Sequence, residues 1–297
     1  DYVLMRHITF DPFALLFAPL MRNRVSIHHA KEQQELLLIA PGLRGRLASR
    51  LEGISGRVAV RSASLILGVT NEIAQYELAQ HRASRPVGLF GNGVLPGSIP
   101  LLADNRSPRC RRFAFICGVF SAWHGLDKLI EAVDQCDVDL TGRLEIHLIG
   151  KLSNAQIAHI TDAPRRARIF RLHGVMGEMA YRPILATCDA GVGSLAMERQ
   201  SLHEGSTLKV REMLAMGLPV YSGHRDADIP EDFSCYRNAS RISVEDMLNF
   251  AETMQLRTRE DVATSSAPYI SKRAAMMRVA NLLASCKTPT GGGISPC

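Results

Sequence analysis

The sequence predicts an α/β protein with two Rossmann-like, doubly wound domains and parallel sheets. Short apolar runs alternate with helical patterns along most of the chain, which is typical of parallel strands joined by helical crossovers. The length of 297 residues corresponds to two domains of about 150 residues each. A stretch rich in Gly, Pro, Asn and Arg, residues 91–112, separates two series of this alternation. A hydrophobic content of 46% and a charged content of 22% exclude disordered and collagen-like chains.

The first domain is predicted to cover residues 1–108. Its strands are expected at residues 1–6, 24–28, 64–69 and 86–90. Apolar residues recur every three or four positions between the second and third strands, which predicts a helix with a single apolar face: Leu47, Leu51, Ile54 and Val58. Another helix is expected after Thr70. The aromatic residues of this half are expected in its core: Tyr2, Phe10, Phe13, Phe17 and Tyr76.

The second domain is predicted to cover residues 109–262. Its strands are expected at residues 113–120, 144–149, 168–172, 189–195 and 219–222, with helices at 126–133 and 207–216 between them. Ser206 is the expected N-cap of the later helix, and Gly217 follows its end. Residues 263–297 are expected to form a C-terminal helix and a flexible tail. In such a domain the ligand is expected at the carboxyl ends of the strands.

Charge and cysteine content limit the classes of partner. Residues 1–112 hold 15 Lys and Arg against 8 Asp and Glu, whereas the remainder is nearly balanced. A basic half favours binding of nucleic acid, anionic lipid or a phosphorylated substrate, or is merely a soluble basic surface.

Seven cysteines without a Cys-x-x-Cys pair favour a reducing compartment. No apolar run approaches the ~20 residues of a membrane-spanning helix. The chain begins at Asp1 on a predicted strand, which suggests that it is cut at its N-terminus.

Residues 202–220 carry the most informative motif. The chain has no Gly-x-Gly-x-x-Gly after a strand, no P-loop and no His-Glu-x-x-His, which argues against dehydrogenases, P-loop enzymes and zincins. Glu204 ends a loop, Gly205 permits close backbone approach, and Ser206 opens a helix whose free N–H groups can hold a phosphate. Glu212 lies farther along this helix and can accept hydrogen bonds from hydroxyls. Two carboxylates around an anion-binding helix start suit a sugar, a pyrophosphate and a ribose.

This segment resembles the donor-binding signature of retaining GT-B glycosyltransferases of the group 1, or family 4, type. The stretch from Phe115 to Ala132 has the sequence FICGVFSAWHGLDKLIEA. It resembles the opening strand, loop and helix of that family's second domain. Further family markers fall at 144–150, 173–175 and 215–220, and Asn92-Gly93 resembles the segment that closes the family's first domain. The resemblance implies a GT-B fold whose first domain is incomplete here, because the family has further elements before the position of Asp1.

The resemblance implies a role for each matching residue. Glu204 would contact the donor sugar, and His29, at a strand end of the first domain, would lie near the reaction centre. Glu212 would bind the ribose. The backbone of Gly205, Ser206, Thr207 and Leu208 would hold the diphosphate, and Lys209 would place a cation beside it. Gly174 and Val175 would lie beside the base. Two positions that usually carry Arg and Lys in the family are Val119 and His124. His124 is expected to donate a hydrogen bond and to titrate near its ordinary pKa of ~6.5.

The implied activity is transfer of a hexose from a nucleoside diphosphate sugar to a hydroxyl acceptor with retention of configuration. No cofactor is expected beyond this substrate. Asp137 and Asp139, like Asp226 and Asp228, are interpreted as solvated loop acids, and no metal is expected. A saccharide or lipid-linked acceptor, synthesis of surface polysaccharide or glycolipid, and a cytoplasmic location at the inner face of a membrane suit the basic first half. No nucleic acid is expected. A nucleotide-sugar 2-epimerase and a noncatalytic sugar-nucleotide-binding module remain open.

Overall fold

The computed structural model describes residues 1–21, 23–40 and 42–285. They form two compact units, one of residues 1–91 with the chain from Lys272 onward, the other of residues 92–271. The units divide after residues 91 and 271, where the sequence predicted boundaries after 108 and 262. Residues 92–108 join the second unit because Leu102 is buried in its core and Asn105 donates its N–H to the carbonyl of Ala186. The predicted flexible tail at 288–297 lies outside the described residues.

The first unit contains a parallel sheet with the strand order β1-β2-β3-β4. These strands confirm the four sequence predictions: β1 (Val3–Arg6), β2 (Arg24–His28), β3 (Leu65–Gly68) and β4 (Val87–Leu89). Its helices are α1 (Pro12–Phe17), α2 (Glu32–Ile39), α3 (Leu43–Ser62), α4 (Asn71–His81) and the C-terminal α12 (Lys272–Ser285). The core of this unit joins Val25, Leu65 and Leu67 to Ala275 and Val279 of α12.

Helix α3 has its predicted position, but its apolar face points outward. Three side chains of the predicted apolar face are largely exposed: Leu47 57%, Leu51 50% and Ile54 60%. The buried positions of α3 are instead small or polar, among them Gly56, Ala59 and Glu52, whose carboxylate accepts hydrogen bonds from His7 and from the N–H of Phe10. Helical spacing therefore identified the helix and its apolar face correctly, and the structure shows that this face does not pack on the core of the unit.

The aromatic residues of the first unit also correct a prediction. Phe13 is 68% exposed, Phe17 49% and Phe10 39%, although the sequence placed all three in the core. Tyr2 and Tyr76 are half-buried. No helix of the described residues is both long and apolar enough to cross a bilayer.

The second unit contains a six-stranded parallel sheet with the order β12-β10-β8-β5-β6-β7. Its strands are β5 (Arg111–Val119), β6 (Leu144–Lys151), β7 (Phe170–Gly174), β8 (Ala190–Val192), β10 (Val220–Ser222) and β12 (Tyr236–Asn238). A separate pair is formed by β9 (Glu204–Gly205) and β11 (Arg225–Asp226). The helices are α5 (Leu126–Asp134), α6 (Asn154–Thr161), α7 (Pro164–Ile169), α8 (Glu178–Ala186), α9 (Leu208–Ala215), α10 (Val244–Gln255) and α11 (Arg259–Ile270).

The strand order places a crevice between β5 and β8. The chain moves outward from β5 to β6 and β7, then returns as β8 on the other side of β5. Ligands of doubly wound sheets bind at this reversal of strand order, beyond the carboxyl ends of the strands. The loops that follow the two strands are joined there, because the N–H of Leu195 donates to the carbonyl of His124 over 2.9 Å. Gly125 permits this approach, since it has φ +73° and a Cβ at this position would lie 2.9 Å from Cβ of Leu195.

Candidate functional site

The start of α9 carries groups that can bind an anion. Thr207 is the N-cap residue, but its side chain makes no capping bond. Its buried Oγ1 has no hydrogen-bond partner in the described part of the chain. The first N–H groups of a helix have no acceptor within the helix, and the helix dipole adds positive potential at this end. The start of α9 can therefore hold a phosphate through backbone N–H groups and the Thr207 hydroxyl.

Ser206 is not the N-cap that the sequence predicted. Its Oγ accepts the N–H of Asn92 over 2.8 Å, and its carbonyl accepts from Nδ2 of Asn92 over 2.5 Å. Because these bonds occupy the Ser206 hydroxyl and carbonyl, the side chain holds the 92–93 segment against the start of α9 rather than capping the helix. This contact gives a physical role to Asn92 of the FGNGV segment, which the sequence assigned only by resemblance.

Arg211 connects the same helix to neighbouring loops through buried hydrogen bonds. Its side chain is fully buried, and its Nε donates to the carbonyl of Asn92. Its guanidinium binds Asp226 (Nη2 to Oδ1, 3.0 Å) and Asp228 (Nη2 to Oδ2, 2.8 Å). The interpretation of Asp226 and Asp228 as solvated acids is therefore wrong, because the arginine draws both carboxylates into the interior. Asp137 and Asp139 are exposed, as expected.

Glu204 and Gly205 lie in the short strand β9. The carboxylate of Glu204 is buried, with Oε1 3.3 Å from Nη1 of Arg225. Gly205 lies against the ring of His224, and a Cβ at this position would approach the ring to 2.4 Å. The side chain of His224 is fixed in turn, since its Nδ1 lies 3.0 Å from the carbonyl oxygen of Ser194. Glycine is thus required at 205 by packing, in agreement with the predicted close backbone approach.

Lys209 supplies a positive charge near the start of α9, and His124 supplies a neutral imidazole. Nζ of Lys209 lies 3.8 Å from Sγ of Cys117 and 5.0 Å from the ring centroid of Phe115, and burial lowers its pKa. Burial and the nearby charge of Lys209 lower the pKa of His124 to about 4. The sequence predicted that His124 titrates near its ordinary pKa. This prediction is wrong, and the ring is neutral at pH 7. Its Nδ1 accepts the N–H of Ser121 over 3.0 Å, so the ring proton is on Nε2, which can donate.

Glu212 lies one turn after Lys209 in α9. It is exposed, and partial burial and the negative charge of Glu178 raise its pKa. Glu178 begins α8, directly after the 174–177 loop. In that loop Gly174 has φ +69° and Val175 is 74% exposed. The charge of Glu178 thus acts on Glu212 from the start of α8, which follows the loop after β7.

His29 lies in the first unit, directly after β2. It is half-buried, and burial together with the positive charges of Arg6 and Lys272 lowers its pKa. Its neighbour His28 is fully buried and bonded to Ser26 and Glu32. Glu32, the first residue of α2, is buried against His28.

The structure brings His124 near the predicted donor-binding residues 205–209 at the start of α9. Glu204 directly precedes these residues in the chain and lies in β9. Sequence reasoning missed the residues that hold this cluster in place: Arg211, Arg225, Asp226 and His224. Asn92, which the resemblance had already marked, does have a sequence signal: it lies in a Gly-Asn-Gly run that breaks the strand pattern. The others look like ordinary surface or helix residues in the sequence, and only the fold shows them to be buried or paired.

Comparison with known proteins identifies the fold. No protein-family model matches the chain, and no curated protein matches its sequence. Among solved structures, HepE of Anabaena in complex with UDP has a TM-score of 0.60 at 14% identity, over 96% of this chain and 79% of HepE. The lipopolysaccharide outer core galactosyltransferase WaaB has a TM-score of 0.58 at 9% identity, over 92% and 78%. Sucrose-phosphate synthase of Thermosynechococcus elongatus has a TM-score of 0.59 at 13% identity, over 95% and 73%.

The chain has the GT-B fold. The two parallel sheets confirm the predicted fold class of Rossmann-like domains.

Proposed function

We propose that this protein is a retaining glycosyltransferase that moves a hexose from a nucleoside diphosphate sugar to a hydroxyl acceptor. One observation carries the proposal. The uncapped start of α9, with the unpartnered hydroxyl of Thr207 and the cation Lys209, follows directly on the buried carboxylate of Glu204. An anion-binding helix start beside a carboxylate fits a substrate that joins a diphosphate to a sugar.

Each part of the donor has a partner in this proposal. The backbone of Gly205, Ser206, Thr207 and Leu208 cradles the diphosphate, and Lys209 and the Nε2–H of His124 add donors. Glu204 binds sugar hydroxyls and is held in place by Arg225. Glu212 binds the ribose, and the 174–175 loop lies beside the base. His29 acts on the acceptor side as the second catalytic group.

The solved structures support a sugar-nucleotide donor. HepE has been crystallised with UDP, with UDP and glucose, and with UDP-glucose. WaaB is a galactosyltransferase by its own description. Both have the fold of this chain, and because ligands of doubly wound sheets bind at the reversal of strand order, this fold favours the same class of ligand here.

The reaction needs little chemistry from the protein. The bond between the anomeric carbon and the diphosphate oxygen breaks, and a bond from that carbon to the acceptor oxygen forms on the same face. The acceptor proton passes to the leaving diphosphate. Charge that develops on the diphosphate is stabilised by the N–H groups of α9 and by Lys209, which are already in place before the reaction.

Product analysis tests this proposal against its alternatives. The protein is incubated with UDP-glucose and UDP-galactose, with and without oligosaccharide or lipid-linked acceptors, and the products are separated by mass and by NMR of the anomeric proton. An α-linked product from an α-linked donor is expected, and Glu204→Gln is expected to lower its rate. Isomerised sugar nucleotide without acceptor would indicate an epimerase. Binding without any product would indicate a noncatalytic module.

A membrane-associated acceptor is the second part of the proposal. The exposed side of α3 interleaves Leu43, Leu47, Leu51 and Ile54 with Arg44, Arg46, Arg50 and Arg57, all of them exposed; we call this the arginine–leucine face. Exposed apolar residues of α1 and α2, which contact α3, extend it: Phe13, Leu16, Leu38 and Ile39. A basic, apolar helical face of this kind fits the headgroup region of an anionic bilayer, at the cytoplasmic side where lipid-linked acceptors are assembled.

Vesicle sedimentation tests this contact. The wild type is expected to bind vesicles that contain phosphatidylglycerol, to bind pure phosphatidylcholine weakly, and to be released by salt. Leu47→Glu with Leu51→Glu should abolish binding, whereas Leu101→Glu, at an exposed leucine of the second unit, should not. Equal binding to both lipids, or binding that survives the paired substitution, would contradict the membrane assignment.

A further inference from the structure

The first unit contains a buried cluster of histidines and carboxylates that the proposed transfer does not use. It is assembled from the end of β2, the start of α2 and the last two turns of α4: His28, Glu32, Glu77 and His81. All four side chains are at least nine-tenths buried. His7 and Glu52 form an adjoining pair at 2.8 Å, and the ring of His7 stacks on that of His28 with centroids 4.6 Å apart.

Three side chains of this cluster converge on one point. One ligand atom from each of His28, Glu32 and Glu77 lies within 4.8 Å of the other two. Nδ1 of His28 is 3.2 Å from Oε1 of Glu32 and 3.9 Å from Oε2 of Glu77. Ligands around a tetrahedral ion with bonds of about 2.1 Å stand roughly 3.4 Å apart. The observed separations bracket that value, so small shifts would form a coordination sphere.

The remaining atoms of these side chains support the same interpretation. Oε2 of Glu32 and Oε1 of Glu77 are buried and have no hydrogen-bond partner among the described residues. Two carboxylates in one buried cluster repel each other when both are ionised. A cation between them would remove this repulsion, and each unpartnered oxygen belongs to a carboxylate that would bind that cation.

The hydrogen bonds around the cluster suit a metal-bound histidine. Nε2 of His28 lies 3.0 Å from Oγ of Ser26, so the ring can donate from Nε2 and offer the lone pair of Nδ1 inward. Nε2 of His81 lies 3.2 Å from Oε2 of Glu77 and can orient that carboxylate or take the fourth position. Metal-binding histidines in proteins have such an outer partner on the second nitrogen.

We propose that His28, Glu32 and Glu77 bind a divalent transition-metal ion, with His81 as orienting partner or fourth ligand. Mixed imidazole and carboxylate ligands in a buried, four-coordinate site favour Zn²⁺ over Mg²⁺ or Ca²⁺, which prefer oxygen ligands and more of them. The ion would tie the end of β2 to α2 and α4. It would thereby fix the backbone on which His29 lies, one residue after His28, so its role is structural or positioning. This site is separate from the Asp pairs of the second unit, where no metal is expected.

Metal binding can be measured without any sugar nucleotide, so its outcome is independent of the proposed transfer. Full-length protein is stripped with a chelator, dialysed and titrated with Zn²⁺, Co²⁺ and Mg²⁺ by calorimetry, and bound metal is counted by mass spectrometry. One Zn²⁺ per chain is expected, with Mg²⁺ bound at least 100-fold more weakly. Bound Co²⁺ should show the ligand-field bands of nitrogen and oxygen ligands without thiolate charge-transfer bands, which distinguishes this site from the cysteines.

Matched variants identify the ligands. Glu77→Gln keeps the shape of a protonated glutamate, so it should fold as the wild type does while binding Zn²⁺ at least tenfold more weakly. Glu72→Gln removes an acid of the same helix that lies outside the cluster, and it should leave the affinity unchanged. Zn²⁺ should raise the melting temperature of the wild type and of Glu72→Gln, but not that of Glu77→Gln. A folded wild type that binds no Zn²⁺ or Co²⁺, or equal binding by Glu77→Gln, would overturn the proposal.

Discussion

Lys209 is the residue whose charge matters most to the proposed donor site. It occupies the first turn of α9, and its charge adds to burial in lowering the pKa of His124. Among the described residues its one polar contact is the weak one to Cys117, and burial lowers its own pKa. A buried ammonium without a carboxylate partner is costly, and a bound diphosphate would supply the missing anion. In the proposed donor site, Lys209 would supply the positive charge that the resemblance leads us to expect at positions 119 and 124.

Replacing Lys209 by Met should weaken UDP binding by roughly 10- to 100-fold, because a hydrogen bond to a charged group contributes about 1.5–3 kcal/mol. Calorimetric titration measures the loss. Lys128→Met is the matched control, since Lys128 is partly exposed and binds only protein groups, the carboxylate of Glu198 and the carbonyl of Leu195, among the described residues, and should leave the affinity unchanged. Equal affinities of wild type and Lys209→Met would remove Lys209 from the site.

Gly205→Ala tests the packing of β9 on His224. The added Cβ would approach the His224 ring to 2.4 Å, so β9 or His224 must move. Overpacking of this kind costs about 1–3 kcal/mol, and the shift should also disturb the phosphate cradle. Gly97→Ala is the control, because a Cβ there meets nothing within 4 Å. Denaturation followed by fluorescence of Trp123, the single tryptophan, should report a loss for Gly205→Ala alone.

At the scale of single elements, the sequence predicted where helices and strands lie in the chain better than it predicted what packs against them. Strands β1 to β4 and helices α5 and α9 were found because apolar periodicity follows the backbone directly. Strand β7 begins at Phe170 rather than 168, because Pro164 starts a helix that continues to Ile169. The outward apolar face of α3 was not predictable, since periodicity shows that a face is apolar but not what covers it. The ion pairs of Arg211 join residues from separate loops and leave no local signal.

Helix α9 should depend strongly on its buried arginine. Arg211→Met leaves Asp226 and Asp228 buried without their cation, which should cost about 3–5 kcal/mol in the unfolding free energy of the second unit. Arg237→Met removes an exposed ion pair with Asp246 and should cost no more than about 1 kcal/mol. Urea denaturation followed by Trp123 fluorescence measures both. Similar losses for the two variants would show that the Arg211 network does not stabilise α9.

At the scale of the whole molecule, the two units both contain a parallel sheet with helices, but they hold different clusters of polar residues. The second unit holds the cluster that resembles a donor site, and the first holds His29, the arginine–leucine face and the buried histidine–glutamate cluster. The division of charge along the sequence anticipated different roles for the two halves. It did not anticipate that the C-terminal helix α12 returns to the first unit, because Ala275 and Val279 are unremarkable until they are seen to pack on Val25 and Leu65.

Acid should destabilise the second unit. Burial lowers the pKa of His124 and of His147 to about 4, so both remain neutral in the folded state while the unfolded chain binds protons near pH 6.5. Stability is therefore full above about pH 6.5 and falls as the pH decreases towards 4. The urea midpoint reported by Trp123 should be lower at pH 5 than at pH 7. His147→Gln should reduce this difference, whereas His159→Gln, at an exposed histidine of α6, should preserve it.

The most direct test of the account is calorimetric titration of the folded protein with UDP, GDP, TDP and CMP. Selective binding of one nucleoside diphosphate is predicted. Glu212→Ala should weaken it by roughly 10- to 100-fold through loss of the ribose contacts, and Glu252→Ala, at an exposed acid of α10, should not change it. A chain whose Trp123 fluorescence shows it to be folded, yet which binds none of the four or binds equally well as Glu212→Ala, would contradict the proposed donor site.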